Sequence, residues 1–334
     1  MFAGGTRRSP PTRSESLDRS RSHDLDRFAP IHRKQTPPMK KPVTIAGGGL
    51  AGLSLGIALR HHGVDVTLHE AGNYPRHRVC GEFISGVGDD TLEKLGIAET
   101  LRNATPLLSA AWNDPRGRVC EMQVVGRGIS RWQLDDLLQR LFTGLGGKLV
   151  TNSRIEPGPE IIWAAGRPRR EGPWIGLKCH AVGLPLSHDL EMHLGSNSYL
   201  GLAKIEDGKV NICGLFQKSI PAGAKGPALL TAMLRSGGLL KLADRLDSAN
   251  LDASTFCGVA GFQTGWQPAR GFSIGDATHM IPPFTGNGMS MAFESAETAL
   301  PHALAYACGE SSWDAAALAC AKDLDRRFRR RMLA

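Results

Sequence analysis

Apolar residues become periodic at Val43, and from there the chain alternates short apolar runs with amphipathic stretches. The pattern predicts a strand over 43–46, a glycine turn, a helix over about 50–61 and a strand over Val64–His69, which together make one βαβ unit. A helical stretch near 89–103 follows. Next comes a hairpin, Ala110–Asn113 and Arg118–Val125, turning at Asp114-Pro115-Arg116-Gly117. Leu134, Leu137, Leu138 and Leu141 share one face of a predicted helix at 131–145. Strand-like runs at 148–150 and 161–164 lead into antiparallel strands over 175–216, with Glu206-Asp207-Gly208-Lys209 as a turn. A helix near 227–246, strands near 255–262 and 271–275, and helices at about 287–307 and 313–331 complete the pattern, with no internal repeat.

Residues 1–38 lack this periodicity. They are rich in Arg, Ser and Pro, a composition that predicts a disordered basic tail. The folded pattern starts so abruptly at Met39-Lys40-Lys41-Pro42 that Met39 is expected to be the native start; Glu15, Asp18, Asp24 and Asp26 argue against a transit peptide.

The net charge of +8 changes this picture little. Residues 1–40 carry +5, the last thirteen residues +4, and the body between them −1. No aromatic interleaving accompanies the basic ends, so no specific nucleic-acid partner is expected. Seven scattered cysteines, with neither a C-x-x-C pair nor a Cys/His cluster, predict a reducing compartment and no metal site. No secretory signal is visible, and the uncharged stretch Pro42–Leu59 is too rich in glycine for a membrane span. A cytoplasmic protein is expected, with peripheral membrane contact left open.

Two glycine-rich segments carry the chemistry. In Gly47-x-Gly49-x-x-Gly52 one glycine permits the tight turn, one lets backbone approach a pyrophosphate, and one packs helix on strand. The helix N-terminus that follows, with Leu50 and Ala51, offers free N–H groups to an anion. Glu70, at the end of the second strand, is placed for a ribose diol. Far downstream lies Gly275-Asp276-Ala277-Thr278-His279-Met280-Ile281-Pro282-Pro283-Phe284-Thr285-Gly286-Asn287-Gly288-Met289. Asp276 suits ribityl hydroxyls, Gly286 and Gly288 allow close approach to a ring, and a helix from near Gly288 would point its positive end at a flavin pyrimidine. The pair predicts FAD. It also predicts an α/β fold: a discontinuous Rossmann-like cofactor domain of the glutathione-reductase type (40–108, 129–168 and 265–334) with an antiparallel β-sheet substrate domain (109–128 and 175–262).

The downstream segment resembles the flavin-ribityl motif of the geranylgeranyl reductase family and of single-component aromatic-hydroxylase flavoproteins. Tyr74-Pro75-Arg76-His77-Arg78-Val79-Cys80-Gly81-Glu82 is similar to the reductase family's loop after the second strand, and Ser130-Arg131-Trp132-Gln133-Leu134-Asp135 to a helix start common to both groups. The resemblance, which runs from about residue 42 to the C-terminus, implies cofactor contacts from Arg78, Cys80, Gly81, Arg131, Pro283, Asn287 and Met289. It implies a catalytic or gating place for Cys80, against which stands a plain small buried residue. His279 is expected to pack rather than exchange protons. Three departures stand out. Ala165 replaces an acidic or hydroxyl residue of the relatives, the meander before 161–164 is short, and the chain stops in helical pattern where the relatives continue, so truncation is one reading.

The resemblance implies an FAD-dependent oxidoreductase that passes hydride through flavin N5 to an apolar, isoprenoid- or polyketide-like substrate. The alternative is a monooxygenase that hydroxylates through a peroxyflavin; a non-catalytic flavin-binding protein is the third reading. The electron donor is expected to be NAD(P)H or an external reductase. Trp112, Trp132, Phe216, Phe262 and Trp266 are candidates for an apolar pocket, or for core.

Overall fold

The computed structural model describes residues 40–333, apart from 115, 118, 168–170, 218–222, 262–263 and 267–270. The expectations for residues 1–38 and for a start at Met39 concern residues outside these. In chain order the body begins with β1 (Val43–Ala46), α1 (Leu50–His61), β2 (Val66–His69), β3 (Phe83–Ser85) and α2 (Asp89–Lys94). β4 (Thr105–Asn113), β5 (Val119–Gly128), α3 (Arg131–Gly144), β6 (Lys148–Val150) and β7 (Ile161–Trp163) follow. Then come β8 (Trp174–Val182), β9 (Leu190–Gly195), β10 (Ser198–Lys204), β11 (Lys209–Gln217), α4 (Pro227–Ser236) and α5 (Leu240–Asp247). β12 (Asn250–Ala260), β13 (Gly265–Trp266), β14 (His279–Met280), α6 (Gly288–Ala307) and α7 (Trp313–Leu333) close the chain.

A parallel sheet in the order β6-β2-β1-β7 forms the first layer. Its inner strands are short and apolar, and α1 is buried from Leu50 to Leu59 because it packs between the sheet, α3 and α6. Leu53, Leu55, Ile57, Phe142, Phe272 and Phe293 fill that core. Burying each such side chain contributes about 1.5–3 kcal/mol, so packing rather than helix propensity holds α1.

The second layer is an eight-stranded sheet in the order β12-β8-β11-β10-β9-β4-β5-β3, antiparallel except where β4 runs parallel to β9. Ile175, Leu177, Cys179 and Ala181 of β8 alternate onto one face and pack with α4 and α5. The residues between them turn to the opposite face, and β8 is buried on both sides.

Three expected elements differ. The helix over 89–103 stops at Lys94, the chain folds back with Ile97 N–H donating to Leu92 O, and one 3₁₀ turn follows at Ala98–Leu101. The helix over 227–246 is two helices, because Gly238 takes a left-handed φ of 79° that ends α4. The strand over 271–275 shrinks to a bridge between Ser273 and Trp163, since β7 has three residues and Gly275 turns the chain away.

Candidate functional site: a two-part cleft

β1 ends at Ala46 and the chain swings through Gly47–Gly49 into α1. Gly47 has φ 106°, and a Cβ there would lie 2.3 Å from Ala164 O. A Cβ on Gly52 would lie 2.0 Å from Gly47 O, so Gly52 serves the packing of helix on turn. Gly49 is different: a Cβ there would meet no protein atom within 4 Å, and it borders a cleft of about 1660 Å³. α1 starts without a side-chain cap or an acidic residue in its first turn, which leaves its N–H groups to an anion in the cleft.

Glu70 braces this turn from β2. Its Oε2 accepts from Gly48 N–H at 2.8 Å, and its Oε1 from Gly72 N–H at 3.0 Å and Arg76 at 2.7 Å. Burial alone would raise its pKa, but Arg78, Arg76 and the two backbone donors outweigh that and hold it below the usual carboxylate range. Tyr74 OH donates to Gly48 O from the other side.

Asp135, fully buried on α3, accepts from Arg78 Nε at 2.9 Å and from Arg131 Nε and Nη2 at 2.8 and 2.9 Å. Burial opposes the Arg131 charge, yet Asp135 more than compensates and raises its pKa. Arg131 therefore lines the cleft as a clamped cation that also touches the Cys80 thiol. Arg78 Nη2 is buried with no hydrogen bond, 3.8 Å from Glu70. An orphaned guanidinium donor beside an uncapped helix and an open glycine cradle fits an anionic dinucleotide.

The second glycine segment meets the same cleft. Gly275 N–H donates to Ser295 Oγ of α6, and Asp276 projects into the lumen. Desolvation by the surrounding cleft walls pushes Asp276 up to about 6, against the pull of Arg131 and Arg167, while the side chain itself stays exposed in the cleft. α6 starts at Gly288 with no side-chain cap, and a Cβ on Gly81 or Gly288 would again meet no protein atom. Of the expected contacts, Gly47, Gly49, Leu50, Ala51, Glu70, Arg78, Cys80, Gly81, Arg131, Asp276, Pro283, Gly286, Gly288 and Met289 line the cleft. Gly52 and Asn287 do not: Gly52 is consumed by packing, and Asn287 turns its amide to Thr285 O. His279 sits between Thr278 and Asp325 and packs on Phe328, a structural position.

Beside the cleft is an apolar cavity of about 350 Å³, and Val79, Cys80, Gly81, Phe83, Pro283 and Gly286 border both. Its walls are Trp112, Met122, Val124, Leu190, Met192, Tyr199 and Phe284. Trp112 is thus where the pocket expectation put it. Phe216 is core under α4 and α5, and Trp132 lies 43% exposed with His77 stacked on it. Phe262 and the Trp266 side chain lie outside the described residues. Burial raises the pKa of the Cys80, Cys213 and Tyr199 groups, so all three stay protonated.

The sequence reading missed a buried group of Glu82, Lys178 and His180 behind the cleft, joined to half-buried His77 on its wall. Its signal was present: Lys178 and His180 are two apart in a strand and so share a face.

The family pattern described as pyridine nucleotide-disulphide oxidoreductase matches residues 2–166. This is an FAD-dependent oxidoreductase. Solved flavoproteins share its fold. PqsL of Pseudomonas aeruginosa, in complex with 2-aminobenzoylacetate, has a TM-score of 0.68 at 16% identity, over 87% of this chain and 94% of that one. The 2-methyl-3-hydroxypyridine-5-carboxylic acid oxygenase has 0.65 at 20% identity over 87% and 88%. A geranylgeranyl bacteriochlorophyll reductase-like protein of Thermoplasma acidophilum has 0.68 at 18% identity over 87% and 85%. No curated protein sequence matches the oxidoreductase. Among the described residues no helix of this flavoprotein is long and apolar enough to cross a membrane.

Proposed function

We propose that this flavoprotein reduces a carbon–carbon double bond of a small apolar substrate, with Cys80 and Tyr199 as proton donors. The observation that carries this is the chemistry of the apolar cavity. Among the described residues its lining holds no carboxylate, imidazole, amine or guanidinium, but it holds two thiols, Cys80 and Cys213, and the Tyr199 phenol, all of which burial keeps protonated. Such walls desolvate an apolar chain and donate protons; they offer no base to deprotonate a phenol. Bound FAD would supply the hydride.

In this reading Gly47, Gly49, Leu50 and Ala51 hold the pyrophosphate at the start of α1, while Glu70 and Arg78 hold the adenosine side. Asp276 binds ribityl hydroxyls. Gly286, Gly288 and Met289 place the N-terminus of α6 at the ring, and Arg131 keeps Cys80 in position. The cofactor domain is accordingly assembled from 40–108, 129–168 and 265–334, and the substrate domain from 109–128 and 175–262. NAD(P)H or a separate reductase supplies electrons from outside the cleft.

The dryness of the same cavity supports a second reading, hydroxylation with O₂. One experiment separates the two. The FAD-loaded protein, reduced with dithionite and freed of excess reductant, is mixed with geranylgeraniol or with a phenol, with and without oxygen. Anaerobic reoxidation of the flavin by the prenyl alcohol, with a saturated product, supports the reductase. Substrate-dependent O₂ uptake with an oxygenated product overturns it.

A further inference from the structure

Lys178 and Glu82 are both fully buried, on opposite sides of the boundary between β8 and the loop that precedes β3. Lys178 Nζ lies 3.2 Å from Glu82 Oε1 and 3.1 Å from His77 Nδ1. Glu82 Oε2 lies 2.6 Å from His180 Nε2, and Glu82 Oε1 also accepts the N–H of Arg131 at 2.9 Å. Buried ions cost several kcal/mol each unless paired. Here Glu82 holds the ammonium in place, and Glu82 itself adopts a left-handed φ of 53° to reach it.

The arrangement has a direction. Lys178 points its remaining donor capacity at an imidazole, and that imidazole borders the cofactor cleft. Because an ammonium has no acceptor, His77 Nδ1 must accept, and its proton sits on Nε2. Burial first, then the charges of Lys178 and His180, pull the His77 pKa down to about 4, so it is neutral at rest and transmits rather than stores charge. Asp252 adds a negative charge near both imidazoles, while buried Cys179 and half-buried Cys213 and Cys257 place thiols around the lysine.

We propose that Lys178 and His77 form a proton relay into the cofactor cleft, with Lys178 as the store, His77 as the transmitter and Glu82 as the positioning residue. In the transfer, His77 Nε2 gives its proton to an acceptor in the cleft while His77 Nδ1 takes one from Lys178 Nζ. Lys178 is left neutral, and the two transfers reverse from solvent when the cleft is open. The relay deepens the reductase reading and rests on it: Cys80 and Tyr199 protonate the substrate, while the relay supplies the proton that must accompany each pair of electrons entering the cofactor cleft.

The test uses FAD-saturated protein and anaerobic stopped flow with reduced methyl viologen, a donor of single electrons that carries no proton. A pH-indicator dye reports proton uptake, and flavin absorbance reports reduction. In the wild type, uptake keeps pace with reduction. In His77→Ala it lags roughly a hundredfold, and added imidazole restores it. Lys178→Met/Glu82→Gln, which removes both buried charges together so that neither is left unpaired, shows the same lag without rescue. Uptake at the wild-type rate in both variants overturns the relay. In the apo protein, nitrogen NMR is expected to show His77 as the Nε2–H tautomer; a dominant Nδ1–H tautomer also overturns it. No substrate is involved, so failure here is distinct from failure of the reductase reading.

Discussion

Gly48 donates its backbone N–H to Oε2 of Glu70 at 2.8 Å, so the residue just after β2 holds the glycine turn that follows β1. The carboxylate is a strut of the turn as well as a candidate ligand. Glu70→Ala removes three hydrogen bonds and leaves Arg76 and Arg78 without their shared carboxylate; a loss of about 2–3 kcal/mol is expected in urea unfolding. The pH dependence has a definite sign. The folded pKa lies below the unfolded 4.5, so this stabilisation is complete above that value and disappears as pH falls through the folded pKa. The wild type should lose stability in that acid window more steeply than Glu70→Ala.

Gly49 and Gly52 separate binding from folding. A Cβ on Gly49 projects into the cleft and touches no protein atom, so Gly49→Ala should unfold like wild type but bind FAD at least about tenfold more weakly. Gly52→Ala places a Cβ 2.0 Å from Gly47 O and should cost about 1–3 kcal/mol of apo stability as well. Chemical denaturation with and without FAD measures both.

Asp276 carries a second pH signature with the opposite sign. Its apo pKa is raised from 3.8 to about 6, so apo stability from this group is complete below 3.8 and is lost as pH rises through about 6. Asp276→Asn should remove that loss, which is small because the side chain is exposed in the open cleft, yet weaken FAD binding. Wild-type affinity for FAD should fall below about pH 6 as the carboxylate protonates, and fluorescence titration in the variant should show that slope gone.

Tyr199 and Cys80 are the proton donors assigned to the apolar cavity. Tyr199→Phe and Cys80→Ala should each lower the rate of anaerobic substrate reduction by roughly a hundredfold if that residue is the principal donor, with the flavin spectrum retained. Unchanged rates in both, measured by product formation, would exclude the pair.

Most of the cleft's lining was legible in the sequence, Gly52 and Asn287 being the exceptions. Gly47-x-Gly49-x-x-Gly52, Glu70 and Gly275-Asp276 announce themselves because each answers a local demand: a positive φ, a close backbone approach, a charge at a strand end. The expectation for Arg131 was less complete, because its partner Asp135 lies one helical turn on and turns the guanidinium into a clamp. The two-helix outcome at 227–246 depended on a Gly-Gly pair that periodicity averages over.

The sequence by itself determined the βαβ unit, the amphipathic helix α3 and the two glycine segments, since spacing and residue type impose them wherever they occur. The tertiary structure alone decided which side chains meet across the sheets. Lys178 joins Glu82 and His77 because β8 pairs in continuous register with β11, and with a register shift against β12, and presents its even residues to the loop before β3. The apolar cavity exists because β4, β5, β9 and β10 curl over Pro283–Gly286. Such meetings depend on strand register and burial over long separations, and no local pattern of residues encodes them.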